Sequence, residues 1–356
     1  MTRAAVVVRS SHCRNEPKLR ANGRVRRRRA RPHLPGGLVP LKHPFPGRRP
    51  LCRRKLPALR EGLGAGVSGE LILGDGDFPV VFRAADTASI AGQRRYMSVT
   101  KWRLVLAVLA AVGAAFSMTA AVAAVLVAFV GTVCLEVWML AERPEQSWYD
   151  GRALAESTKT LAWRYAVAGK PFPAQLQGEA AARKFHERLE VLLREAPVSS
   201  IAPVGSMAAT DAMNRLRDSP FQARKDAYLK GRIEDQQRWY GTKAALNTTL
   251  AHRWRLVLIA VEGLGVVAAA LRLLGWVEFD LPGVLAAVLG AGAAWFAVRQ
   301  YEALGRAYTF AATELSIVHQ RLTLTTDEAA WSREVADAEE AISREHTMWR
   351  AARGTV

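Results

Sequence analysis

The feature that most constrains this chain is a run of thirty-two residues without a charged side chain, from Leu104 to Leu135. About twenty apolar residues are enough to cross a bilayer as one α-helix. A single helix of this length would extend about 48 Å, well beyond the roughly 30 Å hydrocarbon layer. The run therefore predicts two short spans that fold back at Phe116–Thr119, although neither Gly nor Pro marks that turn.

The same pattern occurs a second time along the chain. Trp102–Leu106 is repeated as Trp254–Leu258, and a Gly-Arg-Ala triplet follows at Gly151 and at Gly305, 49 and 51 residues after the respective Trp. Matched motifs at matched spacing indicate an internal duplication. The second turn is marked by polar residues, Pro and Gly in Gly275–Gly283. The fold class we expect is an all-α membrane protein with two transmembrane hairpins, whose four spans cover about 102–117, 119–141, 254–274 and 282–300.

The net charge of +18 is unevenly distributed. The first 70 residues contribute +15, from 18 Lys and Arg against three Glu. This Arg- and Pro-rich segment cannot bury enough apolar surface to offset its ordering entropy, so we expect residues 1–75 to be a disordered tail. It is either an arm for nucleic acid or anionic lipid, or simply a solvated extension. The three cysteines, Cys13, Cys52 and Cys134, are too dispersed for a disulfide framework or a metal site.

Outside the spans, the sequence predicts helical extensions. A helix is expected over Phe78–Thr100, a second from a cap at Asp150 through Ala168, and a third over Gly178–Glu195. Ala196–Ser206 has the composition of a linker. Ser219 followed by Pro220 is a typical helix start, and we expect that helix to continue to the membrane at Arg253.

Two stripes of apolar residues follow the second hairpin. The first steps by four and three residues, as a coiled-coil seam does. A capping box, Thr325-x-x-Glu328, then predicts the last helix, which carries the second stripe. These seams either assemble subunits around a pore or pack within one protomer. Their residues are Leu304, Tyr308, Ala311, Leu315, Val318 and Leu322, and then Trp331, Val335, Ala338, Ile342 and Trp349.

Basic residues flank the first and third spans, whereas the second turn carries Glu278 and Asp280. The positive-inside rule therefore predicts that both termini and the central segment are cytoplasmic, in a multi-pass protein of the cell membrane. The flanking residues are Arg94, Arg95, Lys101, Arg103, His252, Arg253 and Arg255.

The chain shows no catalytic constellation. Its seven histidines are dispersed, and neither a phosphate-binding loop nor a nucleophile elbow is present. Acidic pairs such as Glu339-Glu340 occur on helices rich in Arg and Lys, which is typical of solvated faces. We therefore expect no enzyme, no cofactor and no metal.

Three ionisable residues within or near the spans are candidates for a pore or gate. Glu262 lies about 12 Å beyond Trp254 along the helix, a depth at which a carboxylate must be protonated, paired or facing water. It either lines a pore or is a neutral Glu bonded to a neighbouring helix. Glu136 lies near the inner end of the second span. Arg272 lies near the far end of the third, where its side chain can reach the interface.

Small residues at four-residue spacing are candidates for close helix packing in the membrane, within or between subunits. The pairs are Ala110 with Ala114 and Ala286 with Gly290.

Motifs next to both hairpins resemble a known bacterial family. Phe82–Asp86, Ala91–Tyr96 and Trp148–Tyr165 flank the first hairpin, and Tyr228–Tyr240 precedes the second. They resemble SLATT domains, the SMODS and SLOG-associating two-transmembrane effector domains. The resemblance implies two spans per domain with cytosolic helices, and a membrane-disrupting effector whose partner makes or senses a nucleotide signal. It assigns no catalytic residue.

We therefore expect a tail (1–75), a first SLATT-like domain (76–170), a cytosolic helix and linker (171–219) and a second SLATT-like domain (220–352). The predicted function is a bacterial membrane effector that oligomerises and forms a pore or perturbs the membrane in a nucleotide-dependent conflict system. The alternative is a non-conducting scaffold that recruits partners through its cytosolic helices. The expected partners are membrane lipid, further copies of the chain and a nucleotide-signalling protein, rather than nucleic acid.

Overall fold

A computed structural model describes residues 71–195 and 205–353, with side chains through Ser343. Every regular element in these ranges is helical, as predicted. The α-helices are α1 (Val80–Ala114), α2 (Thr119–Glu142), α3 (Pro144–Ala166), α4 (Gly178–Glu195), α5 (Asp211–Arg217), α6 (Phe221–Tyr228), α7 (Asp235–Leu273), α8 (Leu281–Arg299), α9 (Tyr301–Leu324) and α10 (Glu328–Arg353). A 3₁₀ turn, Asp75–Asp77, precedes α1, and a π-helical segment, Leu229–Glu234, joins α6 to α7.

Most of the predicted tail and of the linker 196–206 lies outside the described residues. The tail's predicted end at residue 75 is too late, because Leu73 is already buried in the core. Asp75 also forms an ion pair with Lys159 Nζ at 3.1 Å.

The two predicted hairpins are present. Residues 115–118 turn α1 back into α2, and residues 274–280 turn α7 back into α8. Four helical stretches in the described part of the chain are long and apolar enough to cross a membrane, and each of them corresponds to one predicted span. The main contacts between the membrane helices run in the order α2, α1, α8, α7, so α2 and α7 form the two edges. The two turns lie at the same end, where the rings of Phe116 and Phe279 are 5.1 Å apart.

Each returning helix breaks where it leaves the apolar span. Arg143 separates α2 from α3 in a left-handed conformation, with φ of 43°. Pro144 then opens α3, because proline disfavours a helical conformation in the residue before it and suits the first helical position. Gln300, with φ of 50°, separates α8 from α9 in the same way. Each hairpin therefore continues beyond the membrane as a pair of extension helices, α1 with α3 and α7 with α9.

One core joins the extensions of both hairpins. α3 packs against α1, α4, α5 and α10, and α10 also packs on α9. At the centre, the ring of Tyr228 lies 5.7 Å from that of Trp163 and 5.8 Å from that of Trp331. All three side chains are fully buried, and Trp331 Nε1 donates to Val167 O at 2.9 Å. The two halves of the duplication are therefore interlocked.

Three predicted helix starts are wrong. α3 begins at Pro144, so Asp150 lies inside it rather than at its cap. The Ser219 hydroxyl donates to Leu216 O, and Pro220 is the N-cap residue of α6. At α10 the cap is Asp327, whose Oδ2 accepts from Ala330 N at 2.7 Å, whereas the Thr325 hydroxyl donates to Arg321 O. In the last two cases a nearby carbonyl satisfies the hydroxyl that was expected to cap.

The predicted seam of α9 is used within the protomer. Its most buried members pack along α7, and the Tyr308 ring lies 5.8 Å from that of Tyr240. The seam of α10 faces the common core through Trp331, Val335 and Ala338. The side chain of Trp349 lies outside the described residues. These two stripes are therefore core positions.

Candidate functional site

The inner ends of both hairpins carry an Arg–Glu ion pair. Arg103 follows Trp102 in α1 and pairs with Glu136 in α2. Arg255 follows Trp254 in α7 and pairs with Glu302 in α9 at 2.6 Å. The duplicated Trp-Arg motif thus serves the same purpose twice, since it ties the outgoing helix to the returning one. Glu136 has its charge compensated within its own hairpin, and its candidate role as a gate stays a prediction.

Arg272 is also paired. It lies at the far end of α7 and binds Asp280, which is the N-cap residue of α8 and accepts from Gly283 N at 3.3 Å. The pair closes the second turn, where an Arg side chain reaches the interface. Arg272 therefore has a structural explanation at this position.

Glu262 differs from Glu136 and from Arg272. It lies eleven residues before the end of α7, or about 17 Å from that end, so it is deep in the span. Its side chain is exposed on the protomer surface. Among the residues that the structure describes, no hydrogen-bond or ion-pair partner of Glu262 is found. Of the two candidate carboxylates, Glu136 and Glu262, only that of Glu262 lacks a partner among the described residues.

The surroundings of Glu262 are open. A Cβ atom added at Gly263 or Gly265 in α7, or at Gly290 in α8, would meet no atom within 4 Å. In the first hairpin, Gly113 lies eleven residues after the repeated Trp, as Gly265 does in the second. A Cβ at Gly113 would lie 2.8 Å from Val125 Cγ2 and 3.3 Å from Ala121 O. The second hairpin therefore leaves backbone surface uncovered beside a carboxylate, although it is closed at Gly292, where a Cβ would lie 3.0 Å from Leu258 Cδ2.

Of the four predicted packing residues, one is buried in the protomer. Ala110 is buried in the first hairpin, whereas Ala114, Ala286 and Gly290 are exposed. The structure brings Ala110 into a contact within the protomer. The α8 pair faces outward, where it remains available to another molecule.

A buried ionic cluster outside the membrane was not predicted. Arg232 of the π-helical segment and Glu339 of α10 are fully buried, with Arg232 Nε 2.9 Å from Glu339 Oε1 and Nη2 2.8 Å from Oε2. Tyr228 donates its hydroxyl to Glu339 Oε1 at 3.0 Å, and Thr160 of α3 donates to Oε2 at 2.9 Å. The prediction that Glu339 belongs to a solvated face is wrong, because Arg232 and Thr160 reach it from two other helices.

The electrostatics of this cluster follow from burial. Burial raises the pKa of the Tyr228 phenol well above its usual value, and the neighbouring Glu339 carboxylate raises it further. Burial lowers the pKa of Arg232, but the Glu339 carboxylate more than offsets this, so the net pKa is raised. Arg232 therefore stays charged and Tyr228 stays neutral. The cluster fixes the junction of the two halves.

No group of three His, Cys, Asp or Glu side chains among the described residues is placed to hold a metal ion. The candidate functional site is the second hairpin. It combines an uncovered carboxylate in a span with exposed small residues on the same hairpin.

Comparison with protein families gives two matches in tandem. Residues 79–225 match the description "SMODS and SLOG-associating 2TM effector domain 3", and residues 228–349 match "SMODS and SLOG-associating 2TM effector domain 1". Together they cover most of the chain, one match on each half of the duplication. No curated protein and no solved structure matches the chain.

Proposed function

The chain belongs to the SMODS and SLOG-associating two-transmembrane effector (SLATT) family through two domains in tandem, and we propose that it assembles in the membrane into a pore. The domains are two-transmembrane effector domains and the protein is a multi-pass membrane protein. In the proposed mechanism, copies associate so that Glu262 faces a shared water-filled path rather than lipid.

The observation that carries this proposal is the exposure of Glu262 deep in its span. A charged side chain at the centre of a membrane helix costs about 2.5–3.5 kcal/mol by insertion scales, and such residues normally face a bundle interior or a water-filled cavity. The described part of the protomer gives Glu262 neither. Association with further copies supplies both, because a ring of subunits encloses water and removes the carboxylate from lipid.

The open backbone of the second hairpin supports association. Exposed Ala and Gly residues let helices from neighbouring subunits approach closely and gain packing energy in lipid. Gly263 on α7 and the pair of Ala286 and Gly290 on α8 are such residues. The hairpin that carries the uncovered carboxylate therefore also offers surface for a neighbour.

We place the protein in the cytoplasmic membrane with both termini inside the cell. The extension helices of both hairpins share one core and so lie on one side of the membrane. The basic residues beside the spans are on that same side, as the positive-inside rule requires of a cytoplasmic face. The acidic turn with Glu278 and Asp280 is on the other side.

The trigger in this proposal is a nucleotide signal that a partner protein makes or senses. It is supported by the family description, which associates these domains with SMODS and SLOG partners. The chain itself acts in this scheme as a receiver and not as an enzyme. Conformational change would enter through the extension helices, which the Arg232–Glu339 cluster joins to one another.

Induced expression with a dye that reports membrane potential tests the proposal. Cells that make the chain, alone or together with the genes beside it, are expected to depolarise. Glu262→Leu should abolish depolarisation, whereas the matched control Glu278→Gln, an exposed residue of the far turn, should retain it. Absence of depolarisation, with the protein shown in the membrane fraction, would contradict the pore.

The scaffold alternative predicts a different outcome, in which Glu262→Leu leaves every phenotype intact. Truncation after Leu324 is unsuitable for testing it. α10 supplies Trp331 and Glu339 to the common core, so its removal would unfold the extensions.

A further inference from the structure

α9 has a second apolar stripe, separate from the seam that packs on α7. Phe310, Ile317 and Leu324 are 66%, 60% and 74% exposed. They are spaced by seven residues, so they lie on one face of the helix over about 21 Å, with the polar residues Thr313, Glu314, Gln320 and Arg321 between them. No described residue of the protomer covers this face.

Lipid does not explain the stripe. α9 begins at Tyr301, after α8 has left the membrane, and Phe310 is a further nine residues along, or about 14 Å. The face therefore stands in water in the proposed topology. Large apolar side chains exposed to water on one face of a helix are typical of an interaction surface.

The internal duplication shows what covers the equivalent face in the first domain. When Gly305 is aligned with Gly151, Ile317 of α9 corresponds to Trp163 of α3. Trp163 is fully buried between Phe78 of its own domain, whose ring lies 6.1 Å away, and the second domain. The Tyr228 ring lies 5.7 Å from it, and a Cβ at Gly231 would lie 3.2 Å from Trp163 Cη2. The start of the following domain thus covers α3 at this position, whereas no described residue covers Ile317 on α9.

The membrane helices show the same asymmetry. Their contact order, α2, α1, α8, α7, alternates a returning span with an outgoing span. The exposed edges are α7, an outgoing span, and α2, a returning span. A neighbour that placed its α2 against α7 would continue the alternation without interruption. Copies in one membrane share the same orientation relative to the bilayer and the same depth in it. This contact therefore joins two different faces of the chain, and a contact of this kind closes into a ring when the rotation between neighbouring copies allows it.

We infer that the Phe310–Ile317–Leu324 face of α9 binds the first domain of a second copy of this chain, head to tail, in the way that α3 binds the second domain within one chain. The inference names the contact surface of the proposed assembly and rests on that proposal in taking the copies to share a membrane. Alignment of Trp254 with Trp102 places Gly76 of the neighbour where Tyr228 lies within the chain. Ile317 of one copy should therefore lie near Gly76 of the next.

Cysteine cross-linking in membranes tests this contact. Cys13, Cys52 and Cys134 are replaced by serine in the full chain, and two differently tagged copies are co-expressed, one with Ile317→Cys and the other with Gly76→Cys. Gly76 accepts the change because a Cβ there meets nothing within 4 Å. A short bis-maleimide is expected to link the two tags. Ala182→Cys, at an exposed position of α4, replaces Ile317→Cys as the control and should give no link.

Two results would overturn the inference. One is no link between position 317 and position 76. The other is a dominant link between two Ile317→Cys copies, which would mean a symmetric face-to-face contact. Cross-linking does not require conduction. A non-conducting assembly that forms the 317–76 link would therefore contradict the proposed pore but not this contact. A conducting protein that lacks the link would contradict this contact but not the proposed pore.

A second measurement uses no cysteine. Ile317→Glu should abolish the higher-order oligomers that native gels of detergent extracts resolve. Thr323→Glu should retain them, because Thr323 points about 120° around the α9 axis from Ile317. Thermal unfolding confirms that both variants fold. Equal assembly of the two variants would contradict a contact through Ile317.

Discussion

The two domains share one plan, but they close their helices to different degrees. In the first, Gly151 of α3 lies against the backbone of α1, so that an added Cβ would be 2.9 Å from Ala85 O and from Ser89 N. In the second, the equivalent Gly305 of α9 has the Thr248 hydroxyl as its nearest neighbour, at 3.2 Å. The contact between the extension helices is therefore tighter in the first domain.

The same difference recurs at two further matched positions. The first domain covers its glycine at Gly113 and its Trp163, whereas the second leaves Gly265 and Ile317 uncovered. A duplicated domain can in this way divide two tasks. One copy holds a rigid frame, and the other keeps surfaces open for a neighbour or for water.

The largest effect is expected where the two domains meet. Arg232→Met leaves Glu339 as a buried carboxylate without its cation, and breaking a buried pair from one side costs about 3–5 kcal/mol. We expect the free energy of unfolding to fall by that amount and both domains to lose stability together, which thermal unfolding in detergent measures. If one domain melts alone while the other keeps its wild-type transition, the common core is not cooperative.

A double-mutant cycle sharpens this result. Arg232→Met combined with Glu339→Leu removes both charges, so the double variant should lose less stability than the two single variants added together. Simple additivity would mean that the two side chains do not interact.

The extension helices give the next largest effect. Gly151→Ala forces the α1 and α3 backbones apart and should cost about 1–3 kcal/mol, as overpacking does. The matched change Gly305→Ala meets a Thr side chain at 3.2 Å, which needs to yield by only a few tenths of an ångström. Comparison of the two midpoints of thermal unfolding tests the asymmetry, and equal losses would remove it.

In the membrane, Gly113→Ala and Gly265→Ala form a similar pair. The methyl group at Gly113 meets Val125 at 2.8 Å, so we expect a loss of about 1–2 kcal/mol by overpacking. At Gly265 it enters open space, and stability should rise by about 0.5–1 kcal/mol, because Ala loses less conformational entropy than Gly within a helix. The same two variants in the depolarisation assay show whether the open surface is used, since a methyl group there would weaken contact with a neighbouring helix. Equal destabilisation would mean that the second hairpin is as closed as the first.

The features that the sequence predicted correctly are those that lipid imposes on composition. An uncharged run and a repeated Trp-Arg motif were enough to place both hairpins, because a bilayer admits few other structures. Individual caps were missed, since Ser219 and Thr325 each find a carbonyl of the preceding turn. The Arg232–Glu339 pair joins residues 107 positions apart, and no local pattern encodes such a distance. The bare stripe of α9 was missed because apolar residues lie on several faces of that helix, and only the fold decides which of them is covered.

The smallest effect concerns the hydroxyl that completes the junction. Because the pKa of Tyr228 is raised in the folded state, the neutral phenol stabilises the fold fully below the unfolded value of 10.0, and this contribution is lost as pH rises through the folded pKa. Tyr228→Phe should cost about 1 kcal/mol at neutral pH, as the loss of one hydrogen bond does. It should also make the loss of stability above pH 10 less steep than in the wild type. Thermal unfolding between about pH 8 and pH 11 measures the difference, with Tyr149→Phe as the control at a half-buried tyrosine. Parallel curves for the wild type and Tyr228→Phe would mean that this phenol does not sense the buried carboxylate, and the junction would then depend on packing around Trp163 and Trp331 rather than on its ionic cluster.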